Sequence, residues 1–249
     1  MYPSYNFIDR VGLELEGGWH EPRGSSLLFV HDGSVNIDAP YVGEVVSKPL
    51  KPNAIEEWLY FAYPDVSNET CGLHVHVSVK KPLYYAHLME LEFQDYLLEI
   101  LNTWGHKVKI RKDHPFWKRM KGENTYASFN FWPERQWNKK EHHGERYTAL
   151  NYTWARFKTV ECRVLPGFKQ KETALEAIFT VIDAFESFLE SKKDFKDILE
   201  MYTISDENLN SEEIVPKIEI QVDKEDSFFL DHFESVVLQK QIVDQILYL

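Results

Sequence analysis

Apolar and polar residues alternate along several segments of the first two thirds of the chain, with the period of two that a β-strand produces. The alternation predicts a sheet within residues 1 to about 168. The predicted strands cover residues 7–16, 26–31, 43–47, 71–80, 126–132, 147–153 and 158–165. Two segments between them, 53–63 and 82–105, carry apolar residues at helical spacing, and each is expected to cover one face of the sheet.

The last third of the chain has a different pattern. Residues 172–191 repeat apolar positions every three to four residues, which predicts a helix. Residues 205–226 are acidic and poor in aromatic side chains, as is typical of an exposed connector. The amphipathic segment after it is either a helix that packs on the domain or one that binds a partner, and packing is favoured. The predicted organisation is a domain of residues 1–204, the connector, and a packed C-terminal helix of residues 227–249.

Composition and charge narrow the classes of function. The chain has 249 residues, of which 43% are hydrophobic, so it can bury a substantial core. Its net charge of -12 argues against binding to double-stranded nucleic acid. No segment approaches the roughly 20 apolar residues of a membrane helix, and residues 1–10 carry no basic or apolar leader. Two cysteines do not make a disulfide framework, which favours a reducing compartment. We therefore expect a cytoplasmic protein and, since there is no long apolar segment, no membrane contact.

Several strands place aliphatic residues on one face and groups that can bind a metal on the other. In residues 11–16, Glu14 and Glu16 point away from the aliphatic side. Their Cα atoms are expected to lie about 6.5 to 7 Å apart, so the two carboxylates can hold two different cations. In residues 71–78, His74 and His76 share the polar face, and both imidazoles can reach one site.

Two further strands add charged groups. Glu161 and Arg163 share one strand face, which suits a metal-bound phosphate, because the metal takes the carboxylate and anionic oxygens take the guanidinium. Glu44 begins a short apolar strand that follows a predicted turn at Asp32. Any one of these pairs is typical of a solvated sheet face, but four such strands together favour a functional site.

Five short motifs follow one another within residues 10–168. They are Gly12-x-Glu14-x-Glu16, Asp32-Gly33-Ser34, Glu44-Val45-Val46-Ser47-x-Pro49-Leu50, Cys71-Gly72-x-His74-Val75-His76 and Glu161-x-Arg163. In this order they resemble the amidoligase family of carboxylate-amine ligases, relatives of glutamine synthetase and γ-glutamylcysteine synthetase. The resemblance implies an α+β fold with a curved, mainly antiparallel sheet of the glutamine synthetase catalytic type, helices on its outer face and further C-terminal helices. Residues 1–204 would then form a ligase catalytic domain.

The resemblance also implies a role for each motif residue. The concave face of such a sheet binds ATP with two or three Mg2+ ions. The implied cation ligands are Glu14, Glu16, Glu44 and Glu161, with His74 as a further ligand or a nucleotide contact. Arg163 would bind the transferred phosphate, and His76 would line the nucleotide or substrate pocket. Arg146 resembles a second arginine on the phosphate side, with Asn151 nearby.

The implied reaction joins a carboxylate, on a small molecule or a peptide, to an amine through an acyl phosphate made from ATP. The amine must lose a proton, and Asp32 is a candidate for orienting or deprotonating it. An equally good interpretation is that Asp32 only forms the turn before Gly33.

Two other functions stay open from the sequence. His74 and His76 are also typical of a metal-dependent hydrolase or oxygenase with a His-x-His strand, in which Glu14 or Glu161 would be a further ligand. The second alternative is a relative that binds a nucleotide without turnover. The surplus of carboxylates favours Mg2+ and the ligase.

A basic segment at residues 107–121 has no assigned role. Its cationic residues are Lys107, Lys109, Arg111, Lys112, Lys118, Arg119 and Lys121, with Phe116 and Trp117 among them. The segment could be a lid over phosphates or a dock for an acidic substrate. An ordinary solvated loop is the simpler interpretation and is preferred.

Overall fold

A six-stranded sheet runs through the part of the chain that the computed structural model describes, which is residues 4–22, 27–68, 70–129, 147–153 and 157–192. Its strands are β1 (Ile8–Trp19), β2 (Leu28–Val30), β3 (Tyr41–Val46), β4 (Gly72–Val79), β5 (Leu150–Tyr152) and β6 (Val160–Pro166). Their order across the sheet is β2-β3-β1-β4-β6-β5, and neighbouring strands are antiparallel throughout.

Helices fill the intervals that the strands leave. They are α1 (Ile55–Ala62), α2 (Pro82–Leu88), α3 (Leu91–Lys107), α4 (Pro115–Arg119) and α5 (Lys171–Ser191), with a short 3-10 turn at Pro52–Ala54 before α1. The prediction of helices combined with a mainly antiparallel sheet is therefore confirmed. No helix among the described residues is both long enough and apolar enough to cross a membrane.

The two faces of the sheet differ as the alternation of β1 and β4 predicts. Val11 and Leu13 of β1 and Val75 of β4 are fully buried on one face. Helices α1 and α2 contact this aliphatic side. At one end of the sheet, the Trp19 indole of β1 donates to the Ala62 carbonyl at the end of α1. At the other end of the sheet, the Tyr152 hydroxyl of β5 donates to the Leu88 carbonyl at the end of α2.

The longest helices pack on each other through aromatic rings. Phe93 of α3 lies 4.6 Å from Phe185 and 5.0 Å from Phe188 of α5, measured between ring centroids. The carboxylate of Glu186 in α5 accepts hydrogen bonds from backbone N–H groups at the start of β1, including that of Phe7. These contacts connect α5 to α3 and to the start of β1.

Three segments depart from the sequence predictions. The helix predicted over 82–105 is two helices, because Glu90 is extended (φ -69°, ψ 141°) and the last carbonyl of α2 is occupied by Tyr152. Of the strand predicted over 126–132, the described residues 126–129 form no ladder, and Ser128 makes a single bridge to Thr148. The preference for a solvated loop over 107–121 is wrong in part, because this segment contains α4.

The predicted domain organisation is described only in part. Residues up to Glu190 belong to one compact unit, Met1–Glu190, which includes every strand and helix named above except the last residue of α5. The predicted connector 205–226 and the predicted helix 227–249 lie outside the described residues. Both stay predictions from the sequence.

Candidate functional site

A cavity of about 410 Å³ opens on the polar face of the sheet. Strand pairing builds its floor, because residues directly opposite each other in antiparallel strands point to the same face. Glu14 lies opposite His74, and Glu16 lies opposite Glu44. Glu161 lies opposite His76 on one side and Asn151 on the other.

All predicted site residues that fall within the described ranges line this cavity. They are Glu14, Glu16, Asp32, Glu44, His74, His76, Asn151, Glu161 and Arg163. Arg146, the predicted second phosphate-side arginine, lies outside the described residues. The strands and the turn that carry these groups are far apart in the sequence, so the fold brings them together.

Glu14, His74 and Glu161 form the first of two metal-capable groups, named here the histidine cluster. One ligand atom from each lies within 4.8 Å of the others. Glu14 holds two imidazoles: its Oε2 is 3.0 Å from His74 Nδ1, and its Oε1 is 3.0 Å from His76 Nε2. Glu161 Oε1 lies 3.5 Å from His74 Nδ1. Both His74 and Glu161 are 3% exposed, so this cluster is an interior feature.

Glu16, Asp32 and Glu44 form the second group, named here the carboxylate cluster. One oxygen from each lies within 4.8 Å of the others. Asp32 also accepts a hydrogen bond of 2.7 Å from the Ser34 N–H, so it forms the predicted turn and joins the cluster at the same time. The turn at Asp32 is therefore confirmed, and its role in orienting or deprotonating the amine stays a prediction.

Two glycines leave room for the side chains of the clusters, because a Cβ at either position would crowd them. A Cβ on Gly72 would lie 2.7 Å from His74 Nε2 and 3.2 Å from a Glu16 carboxylate oxygen. A Cβ on Gly12 would lie 3.2 Å from the Cβ of His76. The glycines of the Gly12-x-Glu14 and Cys71-Gly72-x-His74 motifs thus make space for the neighbouring ligand side chains.

Positive charge balances the histidine cluster. Burial acts to raise the pKa of Glu14, but the hydrogen bonds and charges of His74 and His76 outweigh it and hold that pKa well below its ordinary value. Burial is likewise outweighed at Glu161, whose pKa is lowered chiefly by the charge of Arg163. The pKa of His76 is raised in turn, since Glu161 and Glu14 outweigh the effect of its burial.

The carboxylate cluster is balanced less completely, although His74 Nε2 lies 3.7 Å from Glu16 Oε1 and the charge of Arg163 acts to lower the pKa of Glu44. Burial, with the negative charges of Glu14, Asp32 and Glu16 added to it, raises the pKa of Glu44 to about 7. Like charges that must share one space favour the protonated form, and a bound cation would remove the conflict.

Arg163 is held on the floor of the cavity by several groups. Its guanidinium forms an ion pair with Glu161, and its Nε donates to the Tyr126 carbonyl at 3.3 Å. The guanidinium also lies 5.8 Å from the centre of the Tyr147 ring. Asn151 fixes the other carboxylate oxygen of Glu161 through a hydrogen bond of 2.6 Å. The Glu161-x-Arg163 pair is thus buried and already oriented.

Comparisons with known proteins give no assignment for this site. No model of a known protein family, no curated protein and no solved structure matches this chain.

The structure adds cavity residues that the motifs do not contain. Arg119 reaches the cavity from α4, and Tyr126, Tyr147 and Thr70 complete part of its wall. In the sequence, Arg119 belongs to the basic segment, and its neighbours Lys118 and Lys121 carry the same charge, which is typical of a solvated surface. Its spacing from Phe116, a fully buried residue of the same short helix, is the one sequence signal that could have placed it inside.

Proposed function

We propose that this chain is an ATP- and Mg2+-dependent ligase that joins a carboxylate to an amine, as its resemblance to the amidoligase family implies. One observation carries the proposal: two adjacent clusters of oxygen ligands share a cavity with a buried, oriented arginine. The antiparallel sheet with its polar face around the cavity supports the further proposal that the fold is of the glutamine synthetase catalytic type.

The charges of the cavity fit a polyphosphate only together with cations. Five carboxylates line it, those of Glu14, Glu16, Asp32, Glu44 and Glu161. Among the described residues that line it, the permanent positive charges are two guanidinium groups, on Arg119 and Arg163. A triphosphate alone would meet strong repulsion, whereas Mg2+ ions bound by hard carboxylate oxygens would offset it.

The donor set also favours Mg2+ over a transition metal. Each metal-capable cluster offers at least two carboxylates, and the carboxylate cluster offers three with no nitrogen ligand. Carboxylate oxygens suit Mg2+, whereas transition metals of hydrolases and oxygenases favour sites richer in imidazole. When bound, the ions would supply positive charge at the phosphoryl group as it is transferred.

The reaction has two chemical steps. A substrate carboxylate oxygen attacks the γ-phosphorus of ATP, and the bond from that phosphorus to the β–γ bridging oxygen breaks, which releases ADP and leaves an acyl phosphate. The amine then attacks the acyl carbon and loses a proton to a base, for which Asp32 is the candidate, and phosphate departs with the electrons of the carbon–oxygen bond. Activation is needed because a carboxylate by itself is a poor electrophile with no good leaving group.

The chain's own residues would orient and stabilise the reacting groups. Arg163 donates to the phosphoryl oxygens on which negative charge collects, an interaction that commonly makes a large contribution to catalysis. Glu161 holds that guanidinium in place, and Asn151 holds Glu161. Because these groups are positioned in the folded chain beforehand, little reorganisation is needed when the substrate binds.

The test is release of ADP and phosphate by the purified protein with ATP, Mg2+ and pooled carboxylates and amines. We expect release that requires both a carboxylate and an amine. Glu44→Gln should abolish it, because this change replaces a charged cation ligand by a neutral amide while relieving like-charge repulsion in the fold. Glu176→Gln on the exposed side of α5 is the matched control and should keep full activity.

Other outcomes would contradict the ligase. ATP-independent hydrolysis or oxidation of a substrate would indicate the His-x-His metalloenzyme instead. Nucleotide binding without release of ADP, across the whole pool, would indicate a binding protein. Full activity of Glu44→Gln would remove the carboxylate cluster from the mechanism.

A further inference from the structure

Arg119 is a buried arginine that the ligase mechanism above does not use. It is the last residue of α4, it is 2% exposed, and it lines the cavity. Arginine is almost never this deeply buried unless its charge has a partner. The surroundings of its guanidinium therefore indicate what else the cavity binds.

The guanidinium of Arg119 is only partly satisfied by the protein. Its Nη1 donates to the Arg163 carbonyl and its Nη2 to the Cys71 carbonyl, each at 3.1 Å. These bonds use two of five N–H groups, and Nε, which is itself buried from solvent, has no hydrogen-bond partner among the described residues. Both acceptors are neutral carbonyls, and Arg119 forms no ion pair with any carboxylate of the described residues.

Arg163 shows the contrast within the same cavity. Its guanidinium is paired with the Glu161 carboxylate, so its charge is balanced by the protein. Arg119 has a like-charged neighbour in Arg163, and both burial and that neighbour lower the pKa of Arg119. Glu16 acts in the opposite sense, but its carboxylate accepts from the Gly72 N–H and belongs to the carboxylate cluster.

An unpaired buried charge is costly for the fold. Removing a charged group from water costs several kcal/mol even after relaxation, and a neutral carbonyl offsets part of this only. A planar guanidinium with free N–H groups matches a carboxylate or a phosphate, which can accept two parallel hydrogen bonds from it. An anion in the cavity would give the Arg119 guanidinium the negative partner that the described residues do not provide.

We propose that Arg119 binds an oxyanion, a phosphate or a carboxylate group of a ligand, at a subsite distinct from the Glu161–Arg163 pair. The two carbonyl bonds hold the guanidinium at the cavity wall, and the remaining N–H groups receive the anion. The proposal does not depend on ligase activity, since it follows from the burial and partners of Arg119 alone. It assigns the basic segment a ligand-binding residue as well as solvated charge.

The first experiment observes Arg119 directly in the unchanged protein. Guanidinium resonances in a 1H–15N spectrum are assigned by their loss in Arg119→Lys, and inorganic phosphate or acetate is then added. We expect a saturable shift of the Arg119 guanidinium signals, read at Nε–H, as a remaining Nη–H group gains an anionic acceptor. Arg111, which pairs with Asp113 at the surface, is the internal control and should not move at the same concentrations.

The two anions distinguish the source of the ligand group. A shift with phosphate alone identifies a phosphate subsite, and a shift with acetate alone identifies a carboxylate subsite. No saturable shift of Arg119 with either anion overturns the proposal. Because neither ATP nor a coupled reaction is present, this outcome is independent of whether the ligase assay succeeds.

A variant measures the strength of the subsite. Arg119→Gln keeps an amide that can donate to a backbone carbonyl but removes the charge. We expect its affinity for the anion that shifts Arg119 to fall by about tenfold to a hundredfold, the range for a lost charged hydrogen bond. Arg111→Gln should bind as the unchanged protein does, and equal affinity in Arg119→Gln would refute the subsite. If Arg119→Gln does not fold, the resonance experiment decides alone.

Discussion

Both clusters of the cavity contain glutamates from paired strands, but they differ in how their charge is balanced. In the histidine cluster, two imidazoles and Arg163 surround Glu14 and Glu161, and both carboxyls have lowered pKa values. In the carboxylate cluster, burial and then the charges of neighbouring carboxylates raise the pKa of Glu44 to about 7, and Arg163 opposes this only in part. The difference comes from the neighbours, because all three glutamates lie on the same sheet face.

Under the proposed function, the histidine cluster is largely paired within the protein, whereas the carboxylate cluster would be completed by a cation. The histidine cluster is a closed set of ion pairs and hydrogen bonds, so its loss should cost stability. The carboxylate cluster stores repulsion that a cation would relieve, so its loss should cost binding. Changing one residue in each cluster tests this division.

The largest effect on stability is expected for Glu161→Gln. This change leaves the buried guanidinium of Arg163 without its carboxylate, which typically costs about 3 to 5 kcal/mol. The free energy of unfolding, from urea titration at pH 7, measures the loss. Glu176→Gln is the control and should stay within about 0.5 kcal/mol of the unchanged protein. A loss below about 1 kcal/mol for Glu161→Gln would show that the histidine cluster does not stabilise the fold.

Much of the sheet could be predicted from the sequence because a period of two is a local signal. The predicted strands 7–16, 71–80 and 158–165 correspond to β1, β4 and β6, and the same alternation placed Glu14, His74 and Glu161 opposite the aliphatic residues. Which face is polar follows from each strand separately. This part of the site therefore needed no knowledge of the fold.

The remaining features depend on contacts between distant segments. The pairing of Glu16 with Glu44 is set by strand register, which neither strand specifies alone. The break between α2 and α3 has no glycine or proline to mark it, and a hydrogen bond from Tyr152 occupies the last carbonyl of α2. The burial of Arg119 arises from the packing of α4 against β6, so its charge pattern in the sequence suggested the opposite.

The second prediction concerns the affinity for Mg2+. Glu44→Gln replaces one of the three carboxylates in the carboxylate cluster by a neutral amide, a weaker ligand, and we expect Mg2+ affinity to fall by at least about tenfold, since even indirect partners of a metal commonly contribute 10- to 100-fold. Calorimetric titration of the protein with MgCl2 measures the affinity. Glu176→Gln should bind as the unchanged protein. Equal affinity in Glu44→Gln would place the tighter cation site elsewhere.

The third prediction is a pH dependence of stability without cations. The carboxyl of Glu44 has an ordinary pKa of 4.5 when unfolded and about 7 when folded, so the folded state binds the proton more tightly. Its contribution is present in full below pH 4.5 and is lost as the pH rises to about 7. Because Glu44 is partly exposed and screened by solvent, we expect this loss to be about 1 to 2 kcal/mol.

The difference between two proteins isolates this contribution. Unfolding in urea with EDTA is measured from pH 4.5 to 8 for the unchanged protein and for Glu44→Gln, which cannot titrate at this position. The stability of the variant relative to the unchanged protein should rise across this range, and saturating Mg2+ should reverse the trend at pH 8. A difference that does not vary with pH would mean that the carboxylate cluster stores no repulsion.

The smallest effect is expected within the histidine cluster, on the titration of His76. Burial acts to lower the pKa of this imidazole, but the negative charges of Glu161 and Glu14 raise it above its ordinary value. Glu14→Gln removes one of these charges and weakens the contact at 3.0 Å, so the pKa of His76 should fall. Titration of the imidazole 15N resonances measures it, with Glu176→Gln as the unchanged control. If the pKa of His76 stayed the same in Glu14→Gln, the charge balance that separates the two clusters would have to come from Glu161 and Arg163 alone.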